Sequence, residues 1–444
     1  MSIYNYEQAF GMWDKTTPAM RKAIRRWFAM YYDGSADEYA DACQRIPYTV
    51  VNKLVKAVFG EYKATAGTPF GAELLKNLDE KKRLATQLAL VGGMCYLKPC
   101  PVGAGFSFTL VPRDRVLIFG RDGAGKPTDM GLVEKSTEGN YYYTLLERRT
   151  VDENGYLTIR NRLYRSRDAQ NLGSEVPLKN VPAYSSLADC YCFQKPVGSV
   201  GLIQMKLPIL NCVDGSADGV AVYAAAEGLI RNIDKNEAQM NGEFNRGESR
   251  IIASRDLLDK ELGLQDHLFV GLDEDPERVG LTVFSPELRE QSFLARKQEY
   301  LRNVESILGL KRGMLSDANM EDRTATEITA SAAEFSLTVM DFQQMWQQAV
   351  EETVALCKTL AELYGFALCE PGQVHIDWGN GTLYDQEKIW KDYMEMVEKG
   401  LLKPEIALGW RFGRPAETKE QQAKIREDLM PEPSPSGEGG TAKP

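Results

Sequence analysis

From Ile328 to Tyr364 apolar and small side chains recur in alternating steps of four and three: Ile328, Ala332, Phe335, Val339, Phe342, Trp346, Ala349, Thr353, Cys357, Leu360, Tyr364. That spacing predicts one helix with one continuous seam. It opens on a capping box, with Thr324 accepting from the backbone and Glu327 reaching back. At 1.5 Å per residue such a helix runs to roughly 60 Å, longer than a typical domain helix. Its aromatic residues read as packing rather than as a cofactor box.

The totals limit what surrounds this helix. A chain of 444 residues is expected to form two or three domains, and 43% hydrophobic with 26% charged residues is an ordinary globular balance. A net charge of −10 argues against a surface that grips phosphates, because tight nonspecific DNA binding needs clustered cations. Eight cysteines include no C-x-x-C pair and are accompanied by two histidines, so no zinc site or other cofactor is expected. The start "MSIYNYEQAFGMWDK" has no basic-then-apolar leader, and "VAVYAAAEGLI" is about half a bilayer span, so the reading is a cytoplasmic chain with free thiols and no membrane segment.

Along the chain the pattern is α+β. Thr17 and Pro18 open a helix carrying the basic cluster Arg21, Lys22, Arg25 and Arg26, read as a solvated face, and "PYTVVNKLVKAVFGEY" is a second helix. One helix is expected over "AELLKNLDEKKRLATQLALVGG", then strands at "FSFTLVP", "RVLIF", "YYYTLLERRTV" and "YLTIRNRLYRS", with "DENG" as a turn. After a Pro- and Gly-containing connector, Asp218 is the expected N-cap of a helix of about seven turns that stops near Gly247. Short strands at "SRIIAS", "HLFVGL" and "GLTVF" separate it from a helix opening at Ser285 and Pro286 and stopping at Gly309. Two helices thus bracket a small β insert. The segment "MPEPSPSGEGGTAKP" is expected to be disordered.

Several catalytic readings fail on their residues. "GRDGAGKP" fits a phosphate loop until Pro127 replaces the required Ser or Thr, and the strand-like "DMGLVEK" after it makes it a hairpin turn. A Ser-His-Asp or Cys-His site would need His267 or His375, both in strand-like patterns, and Asp377 and Asp385 sit at turn or cap positions. The chain reads as a non-enzyme.

In their order, "ALVGGMCYLKPCPVGAGFSFTLVPRDRVLIFGRDGAGKPTDMGLVEK", "YLTIRNRLYRSRDAQNLGSEVPL", "DGVAVYAAAEGLIRNIDKNEAQMNGEFNRGESRIIAS", "DRTATEI" and "IDWGNGTLYDQEKIWKDYMEMVEKGLLKPEIALGW" resemble the portal proteins of long-tailed, siphovirus-type bacteriophages. The resemblance spans nearly the whole chain, through weak features in the right order. It implies a portal fold with an N-terminal wing at 1–218, stem helices at 219–247 and 285–308, and a small α/β clip at 248–284. A tunnel loop at 309–324, a long helix at 325–366, a helical crown at 367–428 and a disordered tail at 429–444 complete it. It also implies a homo-oligomeric ring of about twelve subunits at one capsid vertex. Double-stranded viral DNA would pass through without sequence specificity. The terminase large subunit would dock on it, then head-completion or adaptor proteins, with major capsid and scaffolding proteins around it. Localisation would be the virion, after assembly in the bacterial cytoplasm. Other readings are a head–tail connector or minor capsid protein and, from another class, a nucleotide-dependent packaging enzyme.

A tunnel loop must tolerate any DNA sequence, so it is expected to be flexible and weakly gripping. Lys311, Arg312 and Arg323 could touch the backbone beside Asn319, while Asp317, Glu321 and Asp322 cancel their charge. A closed ring joins two different patches of one chain, and Leu294, Leu301, Phe335, Phe342 and Trp346 are the candidates for those patches.

Overall fold

The computed structural model describes residues 6–32, 42–247, 250–254, 269–272, 281–284, 289–317, 325–367, 369–379, 386–412, 414–416 and 418–430, with backbone alone at 250–254, 269–272, 281–284, 325–332 and 386–389. The chain is mixed α+β and divides into two units, Met1–Asp377 and Trp378–Pro444.

The first unit is built around two antiparallel sheets. One has the order β10(Ile203–Lys206), β2(Met94–Val102), β3(Gly105–Pro112). The other runs β4(Val116–Arg121), β5(Pro127–Glu138), β6(Tyr141–Val151), β7(Leu157–Ser166), β8(Ser174–Val176), with β9(Cys190–Cys192) also paired to β7. Strand alternation gives the larger sheet two faces. Met130 and Leu132 on one face meet Tyr96 and Val111 of the smaller sheet. On the other, Leu117, Phe119, Val133 and Leu146 lie under Tyr6 and the short helix α1(Glu7–Phe10), where the Phe10 ring lies tilted against Phe119 with centroids 5.3 Å apart.

The two predicted turns close by one device. Asp122 accepts from the N–H of Ala124 and Lys126, and Asp152 from the N–H of Asn154 and Tyr156. Gly125 and Gly155 take the positive φ (80° and 83°) those turns require. The Gly120–Pro127 stretch is therefore a hairpin, with Pro127 opening β5.

Helices α2(Pro18–Tyr32) and α3(Ile46–Val58) bury Trp27, Phe28, Val50 and Leu54. Arg21 pairs with Glu7 and Arg26 with Glu227, so the basic cluster on α2 is partly neutralised. The single helix expected from residue 73 is two, α4(Pro69–Asp79) and α5(Lys82–Gly92). The charged run from Asp79 to Lys82 has no apolar anchor to hold one axis, and Thr68 caps the first helix earlier than the pattern suggested.

Asp218 is not a cap. It is 4% exposed and paired with Arg113 at 3.3 Å and Arg121 at 2.6 Å, while Arg113 also donates to Thr16 and to the Val116 carbonyl. A buried guanidinium demands a carboxylate, and that demand takes Asp218 away from the helix. Val220, Ala221, Val222 and Tyr223 then run buried, and α6 spans Glu227–Arg246 rather than starting at 219.

Helix α6 lies along α7(Glu290–Ile307): Lys297 pairs with Glu237, Arg289 with Glu243, and Asn236 donates to the Phe293 carbonyl. Between them sit β11(Arg250–Ser254), β12(Phe269–Leu272) and β13(Leu281–Phe284), with β11 central, parallel to β12 and antiparallel to β13. Ser285 and Pro286, the expected start of α7, lie outside the described residues, as do His267, Asp385, Thr324 and the segment from 431 onward. The long helix is observed as α8(Ala325–Tyr364), 40 residues. After it, β14(Val374–Asp377) returns to pair with β1(Lys63–Ala66), so 374–377 belongs to the first unit; His375 is exposed there, opposite Thr65. The second unit carries α9(Gln386–Glu398), α10(Pro404–Arg411) and α11(Lys419–Leu429), the last opened by a Thr418–Gln421 capping box. Its buried Glu405 is met by Arg426.

Between the two sheets Glu147 is 4% exposed and held by Arg149 and Lys98. Burial alone would raise its carboxyl, but the two cations outweigh it and hold it at about 2. The native state therefore binds fewer protons than the unfolded chain, and this stabilisation, full above the unfolded carboxyl range near 4.5, is lost as pH falls toward 2. Urea titrations over that window should show stability falling in the wild type. In Glu147→Gln the protein should be weaker at pH 7 and part of that acid slope should be absent.

Candidate functional site

The loop between α7 and α8 is built from the end of α7 outward. Gly309 takes φ +60°, and Leu310 N–H returns to the Glu305 carbonyl at 2.9 Å, closing the helix. A side chain at Gly309 would meet Thr338 of α8 at 2.6 Å, and Thr338 Oγ1 donates to the Gly309 carbonyl. The loop is thus tied to the next helix at its first residue.

The carboxylate of Glu305, 1% exposed, lies at the centre of the following turn. It accepts from the backbone N–H of Gly313 at 3.1 Å, of Leu315 and of Ser316 at 2.9 Å, and from Ser316 Oγ at 2.8 Å. Convergent backbone donors of this kind form an anion nest, here filled by the chain's own carboxylate. Lys53 Nζ donates to the Met314 carbonyl at 2.6 Å. Gln298 and Asp317 form a reciprocal pair at 2.7 and 2.8 Å.

Residues 309–317 thus form a hydrogen-bonded turn wrapped on Glu305. Lys311 and Arg312 are exposed at its tip, while Asp317 is exposed but held by Gln298. The arrangement leaves two cations exposed and engages the amides of Gly313, Leu315 and Ser316 with the chain's own carboxylate. Asn319, Glu321, Asp322 and Arg323 lie outside the described residues. Glu305 carried no expectation, although an acid inside the apolar run Leu301, Val304, Leu308 was the available signal.

The five assembly candidates divide. Trp346 is fully buried, its ring edge-on to Phe59 at 5.6 Å and its Nε1 donating to Tyr62 Oη at 3.2 Å. Burial pushes the Tyr62 hydroxyl well up, so it stays protonated and passes a hydrogen bond to Asp79. Phe342 and Leu301 are also core residues of the chain itself. Phe335 is half-buried, and Leu294 is 42% exposed. The seam is covered from Phe342 to Leu360, with α3, α4 and β10 packed on the helix. Out of phase with the seam, α8 leaves Leu337, 63% exposed, and Met340, 51%, open. Ile307 at the end of α7 is exposed as well.

Among the described residues no group of three His, Cys, Asp or Glu side chains could hold a metal, and no helix is long and apolar enough to cross a membrane. No family model and no curated protein matches the sequence. Among solved structures, the neck of a native GTA particle computed with C12 symmetry is similar to this chain, with a TM-score of 0.44 and 13% identity over 93% of this chain and 98% of that one. A score of that size does not equate the two folds.

Replacing Glu305 by Ala removes a charged acceptor and strands three amides. The variant should lose about 3 kcal/mol in urea unfolding. Limited trypsin digestion should cut after Lys311 or Arg312 about tenfold faster than in the wild type. Unchanged cleavage would mean that the nest does not hold the turn.

Proposed function

We propose that the chain is a portal-type subunit: a non-enzymatic virion component that closes into a ring at one capsid vertex and conducts double-stranded DNA. The observation that carries this reading is an ordered set of parts. A helix pair brackets a three-stranded insert, and a turn fixed on Glu305 then presents Lys311 and Arg312 at the head of a 40-residue helix. A turn held by its own carboxylate offers few donors to a passing phosphate, so contacts with DNA would be brief and independent of sequence. The motor, adaptor, capsid and scaffolding partners named above belong to this reading. Leu337, Met340 and Ile307, rather than the buried seam, are assigned to the contact between neighbouring subunits.

Mass photometry and negative-stain imaging of the purified chain should give rings of roughly 0.6 MDa, about twelve copies of a 49.7 kDa chain. Leu337→Asp with Met340→Asp should prevent ring formation while leaving the circular dichroism spectrum unchanged. Rings that survive the double substitution would sink the surface assignment; a wild-type chain that stays monomeric together with its capsid proteins would sink the function. Lys311→Glu with Arg312→Glu should lower the DNA content of particles.

A further inference from the structure

The short strand β9 lies at an open edge of the larger sheet: among the described residues no strand pairs with its outer side. It is fixed to β7 by Asn161 N–H on the Asp189 carbonyl and Phe193 N–H on the Leu157 carbonyl, both 2.9 Å. Antiparallel bonding alternates, so Cys190 and Cys192 turn their N–H and C=O groups outward. All three residues of β9 are exposed.

On one face of the sheet the register places Arg148, Arg160 and Cys190 in a row across three strands, with Arg162 two positions along β7. Like charges directly opposite one another destabilise a strand pair. Arg148 is neutralised by Asp129, which takes both its Nε and Nη2, at 3.0 and 2.7 Å. Arg160 has no ion pair among the described residues, and Arg162 makes only a 3.3 Å bond to the Ala9 carbonyl; both are exposed. On a chain of net charge −10 this leaves two exposed guanidiniums on one face, with Asp129 engaged by Arg148 and Glu175 of β8 placed opposite Tyr164, two positions along β7 from Arg162.

We infer that the edge of β9 takes up an acidic, extended segment of another protein, its backbone pairing with Cys190 and Cys192 and its carboxylates meeting Arg160 and Arg162. Main-chain bonds at an open edge supply affinity, and alternate side chains on one face supply selectivity. Pairing of β9 with a second copy of itself would bring two such arginine sets together, and the repulsion disfavours it. The footprint spans a few side chains rather than a basic stripe, which favours a peptide over a nucleic acid. The inference does not depend on the ring.

The test uses the full chain and a fluorescent peptide of about ten residues alternating Glu and Val, with a Lys and Val counterpart. In fluorescence anisotropy the acidic peptide should bind and the basic one should not. Arg160→Glu and Arg162→Glu should each weaken binding about tenfold or more, as expected for a lost charge-assisted bond. Arg160→Gln, which keeps most of the side-chain bulk, should weaken it in the same direction. Arg165→Glu, on the opposite face of β7 over the Tyr141 ring, should leave it unchanged. Bound peptide should slow maleimide labelling of Cys190 and Cys192 but not of the exposed Cys212. No binding of the acidic peptide, wild-type binding by both Arg160 variants, or its displacement by a DNA duplex of about twenty base pairs that depends on the same arginines would overturn the inference.

Discussion

The arrangement of the first unit depends on burial of the middle of α8. A 40-residue helix gains little from its own hydrogen bonds unless an apolar face is removed from water. Phe342, Met345, Trp346, Ala349, Val350, Cys357 and Ala361 are all buried, against helices and a strand drawn from the first 206 residues. Trp346 is the fixed point: fully enclosed, edge-on to Phe59, and bonded to Tyr62, itself bonded to Asp79 on α4. With that segment immobilised, the turn before it and the strand after it have a fixed reference.

Charge is handled by enclosure at several points. Arg113 with Asp218, Glu147 with Arg149 and Lys98, and Glu305 with backbone donors each take an ion out of water and satisfy it with several partners at once. Such groups contribute little net stability compared with apolar replacements, but they penalise any arrangement that leaves one partner alone. They therefore fix which segments lie beside which. Arg160 is the contrast, a cation left on the surface beside an open strand edge.

What was legible in the sequence was local. Asp122 and Asp152 with their glycines announced the hairpins, Pro18 the start of α2, Gly309 the end of α7, and the four-three spacing the existence of α8. What was not legible depended on partners far away in the chain. Asp218 has the chemistry of a cap, and only the burial of Arg113, 105 positions earlier, removes it from that role. Trp346 looked available for assembly because nothing local says that Phe59 and Tyr62 cover it. Glu305 gives no such sign, because an isolated acid on a helix does not reveal that the next turn will fold around it.

The pairing of β14 with β1 has a consequence for how the chain is made. Lys63 faces Asp377 and Ala66 faces Val374, Thr68 Oγ1 donates to the Glu370 carbonyl, and Gly71 packs so closely on the Pro371 carbonyl that no Cβ would fit. The loop that this clasp closes is more than 300 residues long, so its contacts are strongly non-local and carry a loop-closure cost before they contribute. During synthesis β1 emerges early and must wait, with its edge unpaired, until residue 377 has left the ribosome. The first unit is thus completed only when its last strand arrives, and the nascent chain carries an unpaired strand edge for most of its translation.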